Sequence, residues 1–289
     1  MPFLIFVSLI WGFSFVIIKG SLTSLDSNFV SFARLILSLL VFIPFVRPAG
    51  LRPYDILRLM LIGSIQFGLM YITVIAAYQD LPAYAIAILT TTTPIFVSIT
   101  SGLYEKRFRG YSLLLALLAV AGGVILELPD RSFAANIRGI ILLQISNAAF
   151  AFGQIAYRRW MKSNPALQDR NIFVFLYAGG ALVAGMFSFF TTEYGRLTIQ
   201  PHQWIALLYL GIVASGIGFF LWNVGARNVN EGILAIMNNM KIPVGVAASL
   251  VLLREKADWM RFVTGCALIL LALYLNERDA TWNSEKNSA

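Results

Sequence analysis

One lysine lies where a membrane helix would hold it far from water. Lys241 follows Asn238 and Asn239 and precedes Pro243 in the otherwise apolar stretch 232–256. At about 1.5 Å of rise per residue it lies roughly 13 Å from one end of the apolar run. That is too deep for the ammonium to snorkel to the interface. A charge at mid-depth costs on the order of 3 kcal/mol, so Lys241 should face a polar cavity or a partner rather than lipid. Asp26, Asp80, Glu127 and Glu231 all fall at or near the ends of apolar runs. A substrate carboxylate is therefore a better counter-ion for Lys241 than a protein carboxylate.

Other polar groups repeat at helical spacing. Asn238 is three residues before Lys241 and shares its face, whereas Asn239 points about 100° away and reads as an interhelical amide. Gln144, Asn147, Ala151 and Gln154 recur at intervals of three, four and three. Such a stripe either glues helices together or lines a wet cavity; Asn147 suits both roles and Gln154 reads as glue. Thr90 to Thr93 precede Pro94, which removes a backbone donor and frees a carbonyl for hydroxyls or water. Thr91 is the candidate ligand there, and Pro94 and Pro243 are candidate hinges. Deep aromatics beside polar groups complete the set: Trp11 with Ser14, Tyr71 with Tyr78, and Trp222 with Asn223. Glu105 and Glu255 read as structural, capping helices or pairing with neighbouring basic residues. Arg34, one turn inside its span, is expected to reach the interface.

Apolar residues make up 58% of the chain and charged residues 12%, half the share usual in soluble domains; mean hydropathy is +0.76. Ten apolar spans follow: 3–18, 29–46, 56–78, 83–104, 111–128, 139–160, 172–190, 204–224, 232–253 and 259–275. Long unbroken runs require helices, because lipid leaves backbone groups no other partner and a barrel would show alternation. The net charge of +8 fits positive-inside loops, not a nucleic-acid surface. Cys266 and His202 are single residues of their types, which excludes an intrachain disulfide and any usual zinc site. Residues 1–19 lack a basic leader and cleavage pattern and are expected to stay as the first helix. Thirteen Lys and Arg lie on the N-terminal side and seven opposite, which places both termini in the cytoplasm.

The chain also repeats. Pro94 and Pro243 are 149 residues apart, and Glu105–Lys106 and Glu255–Lys256 are 150 apart, each pair closing an apolar stretch. An odd number of helices per copy inverts the second copy, the architecture with a midplane site between halves. With Trp11-Gly12-Phe13-Ser14-Phe15, Arg34, the paired proline and glutamate motifs and Leu221-Trp222-Asn223-Val224-Gly225, the whole chain resembles the drug/metabolite transporter superfamily, specifically ten-helix exporters with two EamA-type domains. Lys241 departs from the resemblance, because members more often carry an uncharged residue there. The resemblance implies an all-α integral membrane protein: ten transmembrane helices as two inverted five-helix repeats around a central cavity. The repeats would be 1–133 and 134–276, followed by a polar tail, 277–289, expected to be unstructured.

The expected function is secondary transport, exporting a small carboxylate-bearing metabolite such as an amino acid across the inner membrane by alternating access. Lys241 would hold the carboxylate and Asn147 and Asn238 the polar end, with Trp11, Tyr71 and Trp222 lining the apolar part. Ser14, Tyr78 and Thr91 complete the predicted site. Amines, drugs or nucleotide-linked sugars are the alternative cargoes. Neither a Walker A loop nor a metal motif is found, so no cofactor is expected. An intramembrane enzyme would need a nucleophile–base pair that no span offers, and a channel would call for a ring of like residues. A full inverted repeat in one chain implies a monomer or weak dimer.

Overall fold

Proline and short polar side chains start the helices where the sequence places them. The computed structural model describes residues 1–48, 50–81, 86, 89–106, 110–127, 136–244 and 259–288. Among these we number ten helical segments: α1 (Pro2–Ser21), α2 (Ser27–Phe42), α3 (Pro53–Asp80), α4 (Thr93–Glu105), α5 (Gly110–Glu127), α6 (Ile137–Lys162), α7 (Asp169–Thr191), α8 (Pro201–Arg227), α9 (Glu231–Met237) and α10 (Trp259–Ser288). Proline opens α1, α3 and α8, where its missing N–H costs nothing. Asp26, Asn136 and Asn230 cap α2, α6 and α9 by accepting backbone N–H groups, each cap contributing about 1 kcal/mol.

No strand occurs among the described residues. Among the described residues six helical stretches are long and apolar enough to cross a membrane: Ser27–Phe45, Pro53–Asp80, Ile137–Lys162, Asp169–Thr191, Pro201–Arg227 and Trp259–Asn276. Pro2–Ser14 and Gly110–Ile125 are shorter apolar helices. Side chains such as Phe189, Phe190 and Met260 stand exposed on the outer surface, as lipid-facing residues must. The tail expected to be unstructured instead continues α10 to Ser288, because nothing after Gly265 interrupts it: no proline or glycine follows.

Four helices are irregular. α3 contains a π-helical segment, Ser64–Leu69, and α8 contains another, Tyr209–Ile217. α4 is preceded by a turn at Thr91 and Thr92, and α9 ends in a turn at 238–240 before one more helical turn at 241–244. The span expected over 232–253 is thus broken just before the lysine. Asn238 donates its amide to the Leu234 carbonyl at 2.7 Å, and the backbone tightens to i→i−3 bonds from Asn238 to Met240. Gly245, Arg254, Glu255 and Lys256, together with Arg107 and Arg109, lie outside the described residues.

α2 packs on α7 and α5 on α10; α3 lies against α6 and α7, while α8 lies against α1 and α2; α4 meets α9. α3 and α7 touch backbone to backbone. A Cβ on Gly63 would sit 1.9 Å from the Leu176 carbonyl oxygen, and one on Gly179 would sit 1.9 Å from that of Met60. Only glycine permits this approach.

Candidate functional site

The polar irregularities surround one cavity of about 140 Å³. Trp11, Ser14 and Ile18 reach it from α1, Arg34 from α2, and Met70, Tyr71, Val74, Ile75 and Tyr78 from α3. Thr90 and Thr93 border it beside α4, as do Ser146, Asn147 and Phe150 on α6, Phe219 on α8, and Lys241 beyond α9. The lining is aromatic and aliphatic, with five uncharged polar side chains and two cations set into it.

Arg34 corrects the sequence reading. It does not reach the interface; it is buried, 5% exposed, in the cavity wall. Its Nε and Nη2 donate to Ser215 Oγ at 3.2 and 3.0 Å, and its guanidinium carbon lies 4.6 Å from the Tyr71 ring centroid. The Tyr71 hydroxyl is 2.7 Å from the same Ser215 Oγ, which also donates to the Leu210 carbonyl at 2.6 Å across the wide π turn. The π segment of α8 therefore turns Ser215 into the hub that fixes Arg34 and Tyr71. The sequence carried a signal: Ser27, Ser31, Arg34 and Ser38 share one face of α2, a polar stripe with no reason to meet lipid.

Lys241 lines the cavity as expected. Its Nζ lies 5.7 Å from the Trp11 ring centroid, within cation–π range. Among the described residues neither Lys241 nor Arg34 has a carboxylate within ion-pair distance. Trp11 is held in place by its Nε1 bond to the Ala214 carbonyl at 2.9 Å and by contact with Trp222, ring centroids 4.8 Å apart.

Asn147 donates to the Leu89 carbonyl at 2.8 Å and to Thr92 Oγ1 at 3.1 Å, while Thr92 donates to Gln144 Oε1 at 2.8 Å. The carbonyl of Thr90, which Pro94 leaves without its helical donor, is taken by the Thr93 hydroxyl at 2.7 Å. Asn239 joins α9 to its neighbours, donating to the carbonyls of Thr91 and Ala119. Gln154 accepts from Trp222 Nε1 at 2.8 Å, the interhelical role expected of it.

Of the predicted site residues, Trp11, Ser14, Tyr71, Tyr78, Asn147 and Lys241 converge on the cavity. Three do not. Trp222 is fully buried one layer behind Trp11. Asn238 is buried and bonds back to its own helix because the turn after Met237 breaks the phase it was expected to share with Lys241. Thr91 is buried against Gly123 of α5, and Thr90 and Thr93 face the cavity instead. Pro94 opens α4 and Pro243 lies in the helical turn 241–244.

The two ends of the cavity differ. Toward the end of α1 and α3 it shares Ile18, Ile75 and Tyr78 with a second recess bordered by Leu22, Ser27 and Gln79. At the opposite end charged residues interlock. Arg158 lies 3.6 Å from Glu231, which also accepts the Ser101 hydroxyl. Arg159 pairs with Glu105 at 3.5 Å, and Arg227 with Asp169, which accepts the Tyr157 hydroxyl at 2.7 Å. Glu105 thus makes an ion pair across helices, with Arg159.

A helical membrane protein with a central, cation-bearing cavity fits a transporter, and the sequence matches the profile of the EamA-like transporter family over residues 1–128 and 137–277. The chain belongs to this family. It is 35% identical to the "Biotin transporter" of Escherichia coli over 291 residues, covering 100% of this chain and 95% of that protein. It is 36% identical to the "Biotin transporter" of Salmonella typhimurium over 280 residues, covering 96% and 93%. The "Probable amino-acid metabolite efflux pump" of Escherichia coli is 25% identical over 293 residues, covering 96% and 94%. A solved structure described as "Crystal structure of protein" superposes with a TM-score of 0.76 at 16% identity, covering 94% of each chain. The family and these relatives are transporters, not enzymes.

Proposed function

We propose that this chain is a secondary transporter of a small amphipathic monocarboxylate, with biotin the first candidate, moved across the inner membrane by alternating access. The observation that carries the reading is the pair of cations, Arg34 and Lys241, in a cavity otherwise lined by aromatic, aliphatic and uncharged polar side chains, without a carboxylate partner among the described residues. A carboxylate cargo supplies the missing charge, and the aromatic walls take up a ring and an aliphatic chain. Relatives named biotin transporters at 35–36% identity support the same cargo.

The second reading, an amino acid, draws on the more distant relative named for amino-acid metabolites. Chemistry ranks it lower. Its ammonium group would enter a cavity already holding two cations, and no described carboxylate lines that cavity.

We infer ten transmembrane helices in two inverted repeats, 1–133 and 134–276, with both termini cytoplasmic. The packing supports this: exchanging each helix for the one five later turns the α3–α7 contact into α8–α2, and α3–α6 into α8–α1. The π segments in α3 and α8 obey the same exchange. The interlocked ion pairs then close the cytoplasmic end, and Pro94 and Pro243 are the hinges.

Counterflow in proteoliposomes tests the reading. Vesicles preloaded with unlabelled biotin should accumulate labelled biotin transiently, and leucine should not substitute. Counterflow of leucine or of an amine, with none for biotin or any other monocarboxylate, would overturn it.

A further inference from the structure

A second cavity, about 200 Å³, lies away from the central one, between α3, α4 and α6. Its lining is ordered by depth. On α3 it is met by Arg58, Leu61, Ile62 and Ile65; on α6 by Arg159, Ala156 and Phe152. α3 enters the bundle at the end where α6 leaves it, so the two stripes run antiparallel. Each begins with an arginine and reaches its deepest apolar residue seven positions away, about 10 Å further in. Tyr104, on the last turn of α4, lies level with the two arginines.

The slot opens sideways. Leu61 is 56% and Tyr104 41% exposed, on a face that a membrane protein turns to lipid. Its charges are incompletely balanced. Arg159 lies 3.5 Å from Glu105 and its guanidinium carbon 5.1 Å from the Tyr104 ring centroid, yet its Nε is buried without a hydrogen-bond partner. Arg58 has no ion-pair partner among the described residues. Among the described residues the one ion pair at the slot is therefore Arg159–Glu105, beside a second guanidinium group, Arg58.

We propose that this slot binds an anionic phospholipid. The phosphate lies between Arg58 and Arg159 at headgroup depth, and an acyl chain runs inward along Leu61, Ile65 and Phe152. Basic pockets between membrane helices at headgroup level recognise anionic lipids in this way. A guanidinium fork matches a phosphate better than an ammonium would, and the apolar floor gives a lipid an advantage that a free anion lacks. The site is separate from the cargo cavity, so it stands whether or not the cargo is biotin. The bound lipid bridges α3 to α6, the helices that carry Tyr71 and Asn147.

Purified, delipidated protein in an uncharged detergent tests the assignment by thermal unfolding and native mass spectrometry. Phosphatidylglycerol should raise the melting temperature and be retained in preference to phosphatidylcholine. The variants Arg58→Gln and Arg159→Gln should each weaken that retention about fivefold, following the free energy per basic residue near an anionic headgroup. Arg58 is exposed, so its variant decides the matter even where Arg159→Gln fails to fold. Equal retention of both lipids or an undiminished preference in Arg58→Gln would overturn the proposal. So would equal stabilisation by inorganic phosphate, which would make the slot a free-anion site.

Discussion

Replacing Lys241 by methionine removes one cation from the cargo cavity while keeping an unbranched chain of similar length. In the structure the ammonium rests 5.7 Å from the centroid of Trp11, an interaction of about 0.5–2 kcal/mol. A carboxylate at about 4 Å gains about 4 kcal/mol at an effective dielectric of 20. The difference, about 2–3.5 kcal/mol, corresponds to a loss of about 30- to 300-fold in affinity. The loss should depend on the cargo's charge. In counterflow competition, wild-type protein should prefer biotin over its uncharged methyl ester, and the variant should lose most of that preference while binding the ester as before. Equal weakening of acid and ester would mean that Lys241 shapes the cavity without meeting the carboxylate. An unchanged preference would leave Arg34 as the sole anion ligand and refute the assignment of Lys241.

Ser215→Ala removes the oxygen that orders Arg34 and Tyr71, and should cost about 2–3 kcal/mol of stability with tenfold or greater loss of counterflow; a variant with wild-type melting and transport would remove Ser215 from its central role. Asn239→Leu removes the amide that donates to the carbonyls of Thr91 and Ala119, and thermal melts should register a loss of about 1–3 kcal/mol for the two bonds together. Gly179→Ala drives a methyl group into the Met60 carbonyl, whereas Gly195 has nothing within 4 Å. The first variant should melt well below wild type and Gly195→Ala close to it, a contrast readable in one differential scanning experiment.

The all-helical class and the rough position of the apolar helices were legible because long apolar runs in lipid have one outcome. The cavity was half legible for a related reason. Lys241, Asn147, Trp11, Ser14, Tyr71 and Tyr78 stand out as polar or amphipathic residues at depth, and depth can be counted from a sequence. Direction is harder. Asn238 was placed by assuming uniform helical phase and Thr91 by its position in the threonine run before Pro94, and both sit at turns where a regular helix fails. Trp222 was correctly read as deep, but the layer it occupies depends on Trp11 and Gln154, which arrive from other helices. Arg34 was misjudged because its distance from the helix start alone suggested escape to water. Its anchor, Ser215, is 181 residues away.

The π segment of α3 carries a consequence for how one helix serves two surfaces. A single residue beyond the α-helical count offsets everything after it by about 100° of rotation. Before Ser64 the stripe Arg58, Leu61 and Ile62 looks sideways into the slot beside α6; after Leu69 the stripe Tyr71, Val74, Ile75 and Tyr78 looks into the cargo cavity. The segment works as a phase shifter, letting one helix address the bilayer with its first half and the solute with its second. Deleting one residue within 64–69 would restore a regular α-helix of the right length to cross the membrane. It would also swing both tyrosines off the cavity, abolishing transport in a protein that still inserts.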